Sequence, residues 1–138
     1  MTIHFDCLNL SPEILSAING LGFKTATPIQ AQGIPLIMAG SDVLGQAQTG
    51  TGKTLAFGIP AIEAIDADSE YIQAIVLCPT RELAVQVSGE LKKVAAATPG
   101  ALILSVYGGQ DIDIQLRMLK TKPQIIVGTP GRVLDHIK

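Results

Sequence analysis

The chain has 138 residues, 47% of them hydrophobic and 16% charged, with a formal net charge of −2 and an isoelectric point near 5.6. That length allows one domain at most, and no apolar run approaches the roughly 20 residues that a membrane-spanning helix needs, so a soluble globular protein is expected. The acidic balance excludes a protein that grips nucleic acid by bulk electrostatics, and any nucleic-acid contact has to be local. Met1-Thr2-Ile3-His4-Phe5-Asp6 lacks the basic stretch and apolar core of a secretory leader. Cys7 and Cys78 have no neighbouring Cys or His at ligand spacing. Reduced thiols in a cytoplasmic protein are therefore expected, and the expected metal is one carried by phosphate.

In chain order, the first 40 residues read as a helical extension. Ser11-Pro12 caps one helix, whose stripe Ile14, Leu15, Ile18 closes at Gly20 and Gly22. Thr27-Pro28 opens a second that runs toward Gly40, with a kink expected at Pro35. Residues 41–138 read as an α/β unit. Four apolar runs, Val43 to Ala47, Ala74 to Cys78, Leu102 to Val106 and Ile125 to Gly128, predict buried parallel strands, because stretches of helical spacing separate them. A helix follows the first strand from near Lys53. Leu83, Val87, Leu91 and Val94 predict one helix face ending near Pro99-Gly100, and Ile112, Leu116 and Leu119 predict a shorter one. Thr129-Pro130 starts a last helix. The acidic group Glu63, Asp66, Asp68, Glu70 and the basic group Arg117, Lys120, Lys122 read as solvated surface.

Ala47-Gln48-Thr49-Gly50-Thr51-Gly52-Lys53-Thr54 has the parts of a phosphate cradle, placed between a predicted strand and helix. Gly50 and Gly52 let backbone N–H groups point inward, Lys53 offers a point charge to terminal phosphates, and the Thr54 hydroxyl suits a Mg²⁺ ion. The helix N-terminus adds about half a positive charge of its own. Ala47 departs from the generic pattern, which has glycine there.

Upstream lies Gly22-Phe23-Lys24-Thr25-Ala26-Thr27-Pro28-Ile29-Gln30, with Phe5 further back. Gln30 has two readings. It closes a capping box with Thr27, or its amide matches the N7 acceptor and N6 donor of adenine, with Phe23 stacking on the base for about 1–3 kcal/mol. On this segment alone the cap is the simpler reading.

Five segments in this order resemble the N-terminal RecA-like domain of DEAD-box RNA helicases of superfamily 2. They are the Gly22-Phe23 to Gln30 stretch with upstream Phe5, the Ala47 to Thr54 loop, Pro79-Thr80-Arg81-Glu82-Leu83-Ala84, Gly108-Gly109, and Thr129-Pro130-Gly131-Arg132. The wording of Val76 to Ala84 and Thr129 to His136 is most similar to bacterial members, and Ala47 is common at its place in that family. The resemblance implies an incomplete RecA-like P-loop fold: a mostly parallel sheet with helices on both faces and a helical extension carrying the Q motif. It implies an adenine site at Phe5, Phe23, Thr25 and Gln30. It also implies that Gln48, Thr49, Gly50, Thr51, Gly52, Lys53 and Thr54 hold ATP and Mg²⁺, with Lys53 and Thr54 on the catalytic side. Pro79, Thr80, Arg81, Glu82, Gly108, Gly109, Thr129, Pro130, Gly131 and Arg132 would line a path for the RNA backbone. Strand ends and helix starts are where open α/β sheets take such ligands. Arg81 and Arg132 have a competing reading as ion pairs with Glu82 and Asp135.

No Asp-Glu-Ala-Asp or other paired carboxylate follows a predicted strand. Hydrolysis needs one on the Mg²⁺ side, together with arginines that the family takes from a second RecA-like domain. The expectation is a piece of a helicase that binds nucleotide without efficient hydrolysis or unwinding, and that folds partially, self-associates or needs the remaining strands. Two other readings are a non-enzymatic P-loop module and a DNA helicase of the same superfamily.

Overall fold

A computed structural model describes residues 3–48 and 52–138. The chain divides into two compact units, Met1–Ala64 with Lys93–Thr98, and Ile65–Lys92 with Pro99–Lys138.

In the first unit, Ile3–His4 (β1) pairs antiparallel with Thr25–Ala26 (β2), and the 3-10 turn Phe5–Leu8 follows β1. Helix α1 spans Pro12–Gly20, with Pro12 in the first turn and the Ser11 hydroxyl accepting the Ile14 N–H at 3.3 Å. It buries Ile14 and Ile18, each worth about 1.5–3 kcal/mol of apolar burial. Helix α2, Pro28–Met38, runs through Pro35 and is followed by Gly40 at φ +93°. Helix α3 spans Lys53–Glu63. A Cβ added at Gly33 of α2 would lie 3.8 Å from the Ala56 side chain of α3, an ordinary van der Waals contact, so the two helices pack side by side there. Glu63 departs from its expected solvated role: its carboxylate accepts the Ser11 N–H at 2.8 Å, fastening the end of α3 to the start of α1.

The strand expected at Val43 to Ala47 is not formed. Residues 41–48 have no regular structure, and Leu44 is wholly exposed. An apolar run becomes a strand only when its N–H and C=O groups find a ladder, and no pairing involves this segment among the described residues.

The second unit holds three parallel strands, Ala74–Leu77 (β3), Ile103–Val106 (β4) and Ile125–Gly128 (β5), in the order β3-β5-β4. The central strand β5 is buried along its whole length, as its unbroken apolar run predicts. Helix α4, Arg81–Val94, buries Ala84, Val87, Leu91 and Val94. Leu83, expected on that face, is exposed, and Ala84 takes its place. Helices α5, Ile112–Leu119, and α6, Pro130–Ile137, complete the unit. Leu119 and Val133 pack against the cluster Leu104, Val106, Ile126.

The buried face expected for α5 is corrected. Ile112 and Leu116 are exposed, and the buried residue is Gln115. Its amide is fully hydrogen-bonded, which removes the desolvation penalty that normally keeps glutamine outside. Gly128 ends β5 where a Cβ would lie 2.6 Å from both Val106 Cγ2 and Val133 Cγ2, so only glycine fits there.

Candidate functional site

In the first unit the structure joins the Gln30 segment to the start of α3. Thr27 is the N-cap of α2, and the box is closed in both directions. The Thr27 N–H donates to Gln30 Oε1 at 2.9 Å, and the Gln30 N–H donates to the Thr27 hydroxyl at 3.4 Å. Gln30 also does something the cap does not require. Its Nε2 donates to the Gly52 carbonyl at 3.2 Å, the same carbonyl that accepts the Ala56 N–H. A side-chain amide carries two donors and two acceptor sites, so one donor and one acceptor remain in the amide plane after the bonds to Thr27 and Gly52. Capping and base recognition are therefore compatible in one side chain.

Gly52 holds a left-handed conformation, φ +86° and ψ 23°, as the N-cap of α3, and makes no side-chain cap bond. A Cβ there would strike Gln30 Nε2 and the Thr27 hydroxyl. Lys53 is exposed and Thr54 half-buried in the first turn, where free N–H groups and the helix dipole suit phosphate oxygens. A glycine cap, open N–H groups, an ammonium and a hydroxyl form a donor set that fits a polyphosphate with its Mg²⁺. Gln48 is exposed; Thr49, Gly50 and Thr51 lie outside the described residues. Of the aromatics, Phe23 is 46% exposed and offers a ring face, whereas Phe5 is 2% exposed. The Phe5 N–H donates to the Lys24 carbonyl at 3.2 Å, so Phe5 underpins the segment that carries Phe23 and Thr25.

In the second unit the other expected residues converge at the carboxyl ends of β3, β4 and β5. Thr80 caps α4, its hydroxyl accepting the Leu83 N–H at 3.2 Å and its carbonyl the Ala84 N–H at 3.0 Å. Pro79, Thr80, Arg81 and Glu82 are exposed. Arg81 lies 3.7 Å from Glu82, a surface pair worth at most about 1 kcal/mol. Its Nη1 would be 2.6 Å from a Cβ at Gly109, which sits at φ +90°. The guanidinium of Arg81 thus lies over the exposed Gly108-Gly109 turn. Thr129 caps α6 by its backbone, its carbonyl accepting the Val133 N–H at 3.0 Å and its own N–H donating to the Val106 carbonyl at 3.1 Å. The Thr129 side chain makes no cap bond, and Pro130 and Gly131 are exposed beside it.

Arg132 behaves differently from Arg81. Its side chain is 14% exposed and lies 3.8 Å from Asp135. Its Nη1 donates to the Gln110 carbonyl at 2.9 Å and to Gln115 Oε1 at 3.1 Å. His136 Nε2 is 2.9 Å from the same Gln115 oxygen. An amide oxygen accepts only, so Nε2 carries the proton and Nδ1 is the bare nitrogen, which is buried with no partner. Burial, then the neighbouring Arg132 charge, push the His136 pKa below its ordinary value, against a smaller opposing pull from Asp135. Sequence reasoning missed Gln110, Gln115 and His136. The available signal was the spacing of Gln115 three residues after Ile112 and four before Leu119, which puts a polar side chain on a helix face.

Comparison with known proteins decides the family. A sequence model described as DEAD/DEAH box helicase matches residues 27–138, spanning the capping box, the α3 start and all three strand-end segments. The chain belongs to the DEAD/DEAH box helicase family. It is 61% identical over 137 residues to the DEAD-box ATP-dependent RNA helicase CshA of Bacillus subtilis, covering 99% of this chain and 28% of that relative. It is 55% identical over 133 residues to the protein of the same name from Geobacillus kaustophilus, again covering 28% of it. Among solved structures, a DEAD box protein from Methanococcus jannaschii matches with a TM-score of 0.91 and 44% identity, over 99% of this chain and 38% of that one. A hypothetical ATP-dependent RNA helicase from Sulfolobus tokodaii matches with a TM-score of 0.82 and 35% identity, over 91% of this chain and 36% of that one. The fold of this DEAD-box chain is accordingly RecA-like α/β, an open parallel sheet flanked by helices. The chain spans little more than a quarter of the length of the curated relatives it matches. No helix among the described residues is long and apolar enough to cross a membrane.

Proposed function

We propose that this chain is the adenine-nucleotide-binding and RNA-backbone-binding part of an ATP-dependent RNA helicase. The observation that carries the reading is the Gln30 Nε2 bond to the Gly52 carbonyl, which ties the adenine-reading segment to the phosphate-holding start of α3. In this assignment Phe23 and Gln30 recognise adenine, with Phe5 and Thr25 supporting them. Gln48 to Thr54 hold the phosphates, Lys53 supplies charge, and Thr54 faces Mg²⁺. Thr80, Arg81, Gly108, Gly109 and Thr129 to Gly131, with Pro79, Glu82 and Arg132 beside them, form the surface for the sugar-phosphate backbone of RNA, through groups that leave base sequence unread.

The whole protein couples ATP binding and hydrolysis to opening of RNA duplexes or remodelling of RNA–protein complexes, together with a second RecA-like domain, in the cytoplasm. Within these 138 residues no paired carboxylate follows a strand, so the activity proposed for the chain itself is binding, without efficient hydrolysis or unwinding. The edge strand β3, with Ile75 and Leu77 more than half exposed, is where self-association would occur.

The test is calorimetric titration with Mg·ATP and Mg·GTP, followed by competition of single-stranded RNA against DNA of the same sequence. The proposal predicts binding of ATP over GTP and of RNA over DNA. Equal affinity for ATP and GTP would replace it with a general P-loop module, and equal affinity for DNA with a DNA translocase.

A further inference from the structure

Gln115 belongs to none of the segments given a role above, yet it is completely buried and every hydrogen-bonding position of its amide is taken. Nε2 donates to the Tyr107 carbonyl at 2.9 Å and to Gln110 Oε1 at 2.8 Å. Oε1 accepts from Arg132 Nη1 at 3.1 Å and from His136 Nε2 at 2.9 Å. Two donors and two acceptor sites are all that an amide has, so the orientation is fixed without ambiguity. Tyr107 and Gln110 flank the Gly108-Gly109 turn, and Arg132 and His136 lie on α6 directly behind Thr129-Pro130-Gly131. Arg132 reinforces the link through its bond to the Gln110 carbonyl.

We propose that Gln115 is a positioning residue that locks the Gly108-Gly109 turn to the first turn of α6, giving one rigid main-chain surface for successive phosphates of single-stranded RNA. Arg132 serves that lock as an internal strut and is not itself a phosphate ligand. The inference rests on the RNA-backbone reading above and deepens it. Exposure supports the division of labour. Arg81, with a side chain 54% exposed, keeps donors for a phosphate, whereas Arg132, with a side chain 14% exposed, gives both Nη1 hydrogens to two oxygens of its own unit and lies beside Asp135. A turn with two adjacent glycines has high intrinsic freedom, and the lock removes part of the ordering cost that RNA binding would otherwise bear.

Three variants and two readouts test this. Gln115→Glu keeps the acceptors facing Arg132 and His136 but turns the donation to the Tyr107 carbonyl into an oxygen–oxygen contact, while the Gln110 amide has to turn over to donate in its place. Arg132→Gln and Arg81→Gln each remove one cation. Binding of a fluorescein-labelled oligouridine is followed by anisotropy over a salt series. Removing a cation that touches a phosphate reduces the slope of log K against log salt by about 0.7 for single strands. Arg81→Gln is expected to show that loss. Gln115→Glu and Arg132→Gln are expected to bind about ten-fold more weakly, which corresponds to ~1.4 kcal/mol, with the slope unchanged. In parallel, the ¹H–¹⁵N nuclear Overhauser effects of Gly108 and Gly109, measured without RNA, are expected to fall in Gln115→Glu while those of β5 stay as they were. An Arg132→Gln slope loss equal to that of Arg81→Gln overturns the strut. Unchanged glycine order overturns the lock. If the unmodified chain binds no RNA, the RNA reading fails and the glycine order alone decides the lock. Should Gln115→Glu not fold, Gln110→Ala removes one bond of the lock, that from Gln115 Nε2 to Gln110 Oε1, and is expected to change the same readouts in the same direction by a smaller amount.

Discussion

Replacing Gln30 by Glu separates the two jobs of that side chain. Glutamate caps as well as glutamine, so the bond from the Thr27 N–H to Oε1 survives. At the start of α2 the helix dipole favours the new carboxylate by about 0.3–1 kcal/mol. Against this, the donation from Nε2 to the Gly52 carbonyl is lost, about 1 kcal/mol. A carboxylate oxygen also faces that carbonyl at a site only 4% exposed, which costs roughly another 1–3 kcal/mol. The unfavourable contributions win, and a net loss of about 1–4 kcal/mol is expected at neutral to basic pH, a sizeable part of the ~5–15 kcal/mol typical of a domain. The sign with pH is the diagnostic. A protonated carboxyl can donate to the Gly52 carbonyl, so the folded-state pKa of the new group is raised. The variant is then most stable relative to the unmodified chain below the ordinary glutamate pKa, and loses that ground as pH rises through the raised value. Urea unfolding at about pH 8 and about pH 5 measures this through the shift in midpoint. The same midpoint difference between variant and unmodified chain at both pH values would refute the reasoning, because the bond to Gly52 would then contribute nothing. Gln30→Ala loses the bond to Gly52 and leaves the Thr27 N–H without its acceptor, about 2 kcal/mol in all, with no new titrating group and hence no such pH dependence.

Gly128→Ala forces a methyl group into Val106 and Val133, and overpacking of this kind predicts a loss of about 1–3 kcal/mol in urea unfolding; a midpoint within error of the unmodified chain would show that the β5 to α6 junction yields. His136, held neutral in the fold by burial and Arg132, contributes stability that is complete above its ordinary pKa. That contribution is lost as pH falls through the ordinary pKa toward the lowered one. His136→Gln retains a donor for Gln115 and cannot titrate, so its stability is expected to fall less than that of the unmodified chain between about pH 7.5 and about pH 5.5. Parallel pH profiles would contradict the assigned tautomer and its bare Nδ1.

The parts of the fold written in apolar runs with ladders to join were legible. The boundaries of β5, Ile125–Gly128, match the run in the sequence, and β3 and β4 differ from theirs by one residue at an end. The helix starts at Pro12, Pro28, Lys53 and Pro130 were legible too, because caps are local chemistry. Val43 to Ala47 misled for the complementary reason: its pattern is that of a strand, but pairing is non-local and no sequence window contains it. At the site, capping and adenine reading competed in the sequence as explanations of Gln30; the bonds to Thr27 and Gly52 leave one donor and one acceptor on its amide, so the two readings are compatible. The two arginines looked alike in sequence, each beside a carboxylate. Their difference comes from Gln115, which stands 17 residues before Arg132 in the chain and is invisible to any motif centred on either arginine.

The proposed role of the start of α3 is to hold the phosphates of an adenine nucleotide. Equilibrium titration of the chain with a fluorescent Mg·ADP analogue, repeated with Lys53→Ala, tests it most directly. Saturable binding displaced by ATP is expected, weakened at least about ten-fold in Lys53→Ala, as for removal of a charge-assisted bond worth ~1.5–3 kcal/mol. Binding of the same strength in Lys53→Ala, or none in a folded unmodified chain, would contradict it.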